Sequence, residues 1–128
     1  GDRGLLIGRY TLVYVNDTCW RVLDSYQEPV HDFCRKLSAV FYCLASLNNR
    51  INLAREIVNA DSEVGRLERD REIYAYTRRQ NLRRQDYFRA DLANLRYIDA
   101  GYELNYANQE LEKTINTAKY LKVQERLL

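Results

Sequence analysis

From residue 30 onward, apolar residues recur three and four positions apart. Val30, Phe33, Leu37, Val40, Leu44, Leu47, Ile51, Ala54 and Val58 hold that alternation without a break, which is the spacing of one helix face and, over about four heptads, of a coiled-coil seam. The pattern predicts a helix over 29–59. Pro29 opens it, because the fixed φ of proline suits a first helical position. Phe41, Tyr42 and Cys43 widen the apolar stripe in the middle, so this helix is expected to be central to a bundle.

Asn59-Ala60-Asp61-Ser62-Glu63 reads as the next turn, with Asp61 or Ser62 as an N-cap. Straight continuation is the alternative, since Ile57, Ala60, Val64 and Leu67 keep the same spacing. A second helix is predicted over 63–99. Its seam is Val64, Leu67, Arg71, Tyr74, Arg78, Asn81, Gln85, Phe88, Leu92 and Leu95, apolar at the ends and polar in the middle. Beyond Ala100-Gly101, Leu104, Leu111, Ile115, Ala118 and Leu121 define a third helix over 102–126.

Residues 1–25 are read as an N-terminal arm or short element. The β-branched and aromatic run 5–15, followed by Asn16-Asp17 and 18–23, fits a β-hairpin with a two-residue turn. Leu6, Tyr10, Val13, Trp20 and Asp24 equally fit a helical period. Because a lone hairpin is marginal, the reading adopted is a short helix from Tyr10 to Ser25 after an extended arm. Only Gly65 and Gly101 punctuate the chain after Pro29. The expected fold is therefore all-α: a single domain over 1–128 with three to four helices, two of them long and antiparallel, and an N-terminal extended arm or short hairpin.

Composition narrows the function more than the fold. Sixteen arginines stand against four lysines, and there are 11 tyrosines; both types are enriched at protein interfaces and also contact nucleic acid. The net charge of +2 gives the whole chain no strong preference for polyanions or polycations. Residues 77–89 nevertheless hold five arginines and one acid, whereas 91–112 hold five acids and one arginine. This local dipole suggests contacts between neighbouring helices or subunits. On one continuous helix Arg71, Arg78, Arg89 and Arg96 would fall within about 20° of a single line, with Arg79 and Arg83 to one side.

Little in the chain could run chemistry. Three cysteines without CxxC spacing argue against a disulfide framework and fit a reducing compartment. Asn16-Asp17-Thr18 matches a glycosylation sequon, but no signal peptide gives it meaning. The absence of Met at position 1 suggests a processed chain, a fragment or a tag remnant. His31 and Cys34 are too few for a zinc site. The carboxylates Glu63, Glu68, Asp70 and Glu72 alternate with arginines as a surface does. No apolar run approaches the ~20 residues of a membrane span.

These readings lead to a non-enzymatic, cytoplasmic assembly or scaffold protein without cofactor, metal or small-molecule substrate. It would form a homo-oligomer or join a larger protein assembly, with Phe88, Leu92, Leu95, Tyr102 and Tyr106 as apolar anchors. The alternative is a small helical nucleic-acid-binding protein using Arg71, Arg78, Arg79, Arg83, Arg89 and Arg96.

Overall fold

A computed structural model describes residues 4–127, with side chains through Leu121. The fold is α+β, not all-α. Four strands, β1 (Gly4–Ile7), β2 (Tyr10–Asn16), β3 (Cys19–Leu23) and β4 (Pro29–Phe33), form an antiparallel meander in the order β1-β2-β3-β4. Three helices follow: α1 (Lys36–Leu47), α2 (Ile51–Arg83) and α3 (Tyr87–Leu127). The chain divides into two compact units, Gly1–Ser62 with Glu110–Leu128, and Glu63–Gln109. A sheet with three helices is neither the helical bundle nor the coiled coil that the spacing suggested, and the boundaries 29–59, 63–99 and 102–126 shift accordingly.

The N-terminal run is strand because its turns are built for it. Gly8 adopts φ +57°, and a Cβ there would meet the Leu47 side chain at 2.7 Å, so the β1–β2 turn needs glycine. At the β2–β3 turn, Asn16 Oδ1 accepts the Thr18 N–H at 2.9 Å. Between β3 and β4, Asp24 Oδ1 accepts the N–H groups of Tyr26 and Glu28, and Gln27 sits at φ 64°. Both are Asx-type turns. The register pairs Leu12 with Val22, Val22 with His31 and Trp20 with Phe33. Leu12, Val22 and Phe33 thus share the face that enters the core, where each is at most 1% exposed.

Pro29 opens an edge strand rather than a helix, a position that tolerates its missing N–H. Val30 and Phe33, three apart, therefore lie on opposite faces; Val30 is 40% exposed and Phe33 1%. The apparent seam through 30–58 crosses strand β4, helix α1 and the start of helix α2. Leu37 and Ile51, both members of it, are exposed.

The interruption falls at Asn48–Arg50. Asn49 takes φ 59°, Arg50 N–H donates to Ala45 O at 2.8 Å, and Asn49 N–H donates to Ser46 O at 3.2 Å. These two bonds form a Schellman cap with asparagine at its left-handed position. The same motif recurs at 84–86, with Gln85 at φ 60°, Asp86 N–H on Asn81 O and Gln85 N–H on Leu82 O. Asp86 Oδ1 then accepts the Arg89 N–H at 3.1 Å and so caps α3. No turn forms at 59–63, and both Gly65 and Gly101 lie inside continuous helices.

In the unit that contains the sheet, Asp61 ties the strands to the helices. It is 2% exposed. Its carboxylate accepts the Cys34 N–H at 2.9 Å, the Arg35 N–H at 3.3 Å and the Cys34 thiol at 3.3 Å. The predicted cap for a following helix instead caps the N-terminus of α1 from α2, where no side chain of α1 does so. The same unit buries Ala39, Cys43, Ala45, Ile57, Ala118 and Leu121. Burial pushes the Cys43 thiol up to about 12, so it behaves as a small apolar core residue. On the surface of this unit, Arg50 donates to the Tyr120 hydroxyl and stacks on its ring.

Replacing Asp61 by Ala removes the acceptor of two part-buried N–H groups, and the expected loss is about 2–4 kcal/mol of unfolding free energy. Urea denaturation of D61A measures it; a change below about 0.5 kcal/mol would deny the carboxylate this role.

Candidate interface on the outer face of α3

Residues 63–109 form an antiparallel helical hairpin from the C-terminal part of α2 and the N-terminal part of α3. The inner face of α3 is Ala90, Ala93, Tyr97, Ala100, Leu104 and Ala107, with all four alanines buried. This is a three-and-four repeat made mostly of alanine, the residue that lets helix backbones approach closely. Across from it stand Val64, Leu67 and Arg71 of α2. The Arg71 guanidinium carbon lies 4.0 Å from the Tyr97 ring centroid, and Arg71 Nε is buried without a hydrogen-bond partner. Gly101 makes room for it, since a Cβ there would come within 3.2 Å of Arg71 Nη2.

The five anchors expected from sequence lie together on the opposite side of α3. Phe88 is 80% exposed, Leu92 41%, Leu95 59%, Tyr102 75% and Tyr106 66%. At 100° per residue they fall in one stripe, about 150° from the alanine face and about 27 Å long. Large apolar residues are normally buried first; in this hairpin the order is reversed. Ile73, Tyr76, Leu82, Tyr87, Phe88, Leu92, Leu95, Ile98, Tyr102 and Tyr106 are exposed, whereas the buried apolar residues are Val64, Leu67 and the four alanines.

The arginines do not form one row. The turn at 84–86 puts Arg71 and Arg78 on α2 and Arg89 and Arg96 on α3. Arg71 is committed to the Tyr97 stack. Arg78, Arg79, Arg83, Arg84 and Arg89 are exposed around the hairpin tip, where Arg89 has Asp86 at 3.5 Å. Arg96 is exposed on the flank of the apolar stripe, one heptad before Glu103.

Elsewhere the candidate chemistry dissolves into local pairing. Arg66 bridges Glu63 at 2.5 Å and Asp70 at 3.0 Å, and the hydrogen bond from Arg66 holds the Glu63 carboxyl below its ordinary range. His31 lies on β4, with its ring edge on Phe33 at 4.7 Å between centroids, while Cys34 follows the strand and is held by Asp61. Among the described residues no three His, Cys, Asp or Glu side chains gather as metal ligands. No helix among them is long and apolar enough to cross a membrane. Comparison with family models, curated proteins and solved structures returns no match.

Sequence reasoning found the outer stripe but took Phe88, Leu92 and Leu95 for the internal seam as well. The inner one was legible as the repeat Ala90, Ala93, Tyr97, Ala100, Leu104, Ala107; alanine is too weakly apolar to outrank leucine in such a reading. The Arg71–Tyr97 stack has no local signal. It predicts a coupling: Gly101→Ala gains about 1 kcal/mol of helix stability in an Arg71→Ala background, and nothing when Arg71 is present. Thermal unfolding of the four-member cycle tests this, and equal effects in both backgrounds would place Arg71 elsewhere.

Proposed function

We propose that the chain is a non-enzymatic assembly protein whose outer α3 face pairs with the same face of a second copy. The observation that carries this is the exposed stripe Phe88, Leu92, Leu95, Tyr102 and Tyr106 on a hairpin whose own buried seam is mostly alanine. A contiguous apolar stripe of this kind marks an interaction surface. Burial of each large side chain contributes about 1.5–3 kcal/mol, and Tyr and Phe are common interface anchors.

Charge selects the second copy and its direction. In the N-terminal half of the stripe Arg96 lies on one flank and Asp91 on the other, and in the C-terminal half Asp99 and Glu103 lie on the Arg96 side. An antiparallel pair centred near Asp99 sets Arg96 of each copy against Glu103 of the other, while a parallel pair sets like on like. Such exposed pairs contribute little affinity but choose orientation.

Light scattering after size exclusion is expected to give twice 15.2 kDa, and Leu95→Glu to return the monomer with its helicity intact. Arg96→Glu alone weakens pairing, and Arg96→Glu with Glu103→Arg restores it. A monomer at all concentrations would refute the pairing, and failure of the double reversal would refute its direction.

The five exposed arginines at the hairpin tip support a second reading, binding of nucleic acid phosphates. Here affinity for a single-stranded oligonucleotide should fall steeply with salt, and Arg79→Glu with Arg83→Glu should abolish it in fluorescence anisotropy. Binding that survives that change removes the second reading.

A further inference from the structure

A cleft of about 430 Å³ opens in the unit that holds the sheet, between the β1–β2 turn and the junction of α1 with α2. Its size falls within the range of small-molecule sites. Two guanidiniums, Arg9 and Arg55, stand at it, and no carboxylate lines it. Neither arginine enters an ion pair among the described residues. Arg9 instead donates to the Tyr10 hydroxyl at 3.0 Å and lies over that ring, 4.8 Å from its centroid.

The walls are fixed rather than adaptable. Tyr42 packs against Tyr10 at 6.4 Å and against Phe33 at 5.2 Å between ring centroids. Phe33 is itself in the core. Gly8, in the left-handed region with no room for a Cβ beside Leu47, precedes Arg9, and Asn49, also left-handed at φ 59°, lines the cleft. Burial pushes the Tyr42 phenol up, so it remains a hydrogen-bond donor at neutral pH. Ser46 lines it as well, and α2 contributes the apolar strip Ile51, Ala54 and Val58.

We propose that this cleft binds a small amphiphile with an anionic head, the head held by Arg9 and Arg55 and the hydrocarbon laid on the α2 residues. Two guanidiniums without a counter-charge match a carboxylate or a phosphate monoester, both of which arginine can clasp with two parallel hydrogen bonds. The adjoining apolar strip matches a chain rather than a second polar group. This site is separate from the outer face of α3 and does not depend on pairing.

Isothermal titration calorimetry with octanoate, octyl phosphate, octanol and inorganic phosphate tests the assignment. Octanoate or octyl phosphate should bind at submillimolar concentration, and whichever binds more tightly identifies the head. Octanol and inorganic phosphate, each offering half of the chemistry, should bind at least tenfold more weakly. Arg9→Gln with Arg55→Gln should lose tenfold or more, with an unchanged circular dichroism spectrum and melting temperature, because both side chains are exposed. Tyr42→Phe should lose a few-fold. Octanol binding as well as octanoate, no heat with either anionic amphiphile at millimolar concentration, or full affinity in the double glutamine variant would each overturn the proposal.

Discussion

The sheet-bearing unit depends on one buried carboxylate. A four-stranded meander can close its core only if the chain leaving β4 turns at once into a helix that covers it, and that turn leaves N–H groups pointing inward. Cys34 and Arg35 bring no side chain that satisfies them as a cap. Asp61 reaches across from α2 and accepts both. It sets where α1 begins and holds α2 beside it, in the unit whose core also buries Ile57, Phe33 and Ala39. An unpaired N–H there would cost as much as several ordinary contacts contribute, which makes this bond a constraint on the path of the chain as well as a source of stability.

That bond also shows why the sequence was only partly legible. Asp61-Ser62 has the local signature of a cap, and Asp61 is one, but for an earlier helix, through Cys34, 27 residues back in the chain. Nothing within a turn's length of Asp61 reveals that. The strands were hidden for a different reason. The run 5–23 has strand propensity and fits a hairpin, but a lone hairpin is marginal; this one is stable because two further strands and α1 pack with it. β4 was the missing piece, because Pro29, Val30 and Phe33 also fit a helical period. Three-residue spacing cannot separate a strand from a helix over so short a stretch.

The helix breaks were missed because the chain uses asparagine and glutamine where glycine is usual. Asn49 and Gln85 both take left-handed conformations inside Schellman caps, and glutamine pays the steric penalty of its Cβ there. Conversely, Gly65 and Gly101, the two glycines that suggested bends, sit within helices; at Gly101 the reason is the guanidinium above it. The anchor stripe on α3 was legible because it is an uninterrupted pattern of large residues on one helix, and such patterns survive errors in the position of the turns.

The hairpin of residues 63–109 poses the opposite problem from the sheet-bearing unit. Its seam gains close backbone approach from alanines but little apolar area, and it carries a guanidinium whose buried Nε has no partner. The Tyr97 stack offsets part of that cost, since a cation over an aromatic ring contributes about 0.5–2 kcal/mol. What the seam lacks, the outer face holds in reserve: Phe88, Leu92, Leu95, Tyr102 and Tyr106 remain 41–80% exposed to water. Under the pairing proposed above, their burial would be linked to folding by mass action, so the stability of the hairpin would rise with protein concentration. A weak internal seam and a strong external one are then two halves of the same arrangement, in which the hairpin completes its core only by meeting a second copy.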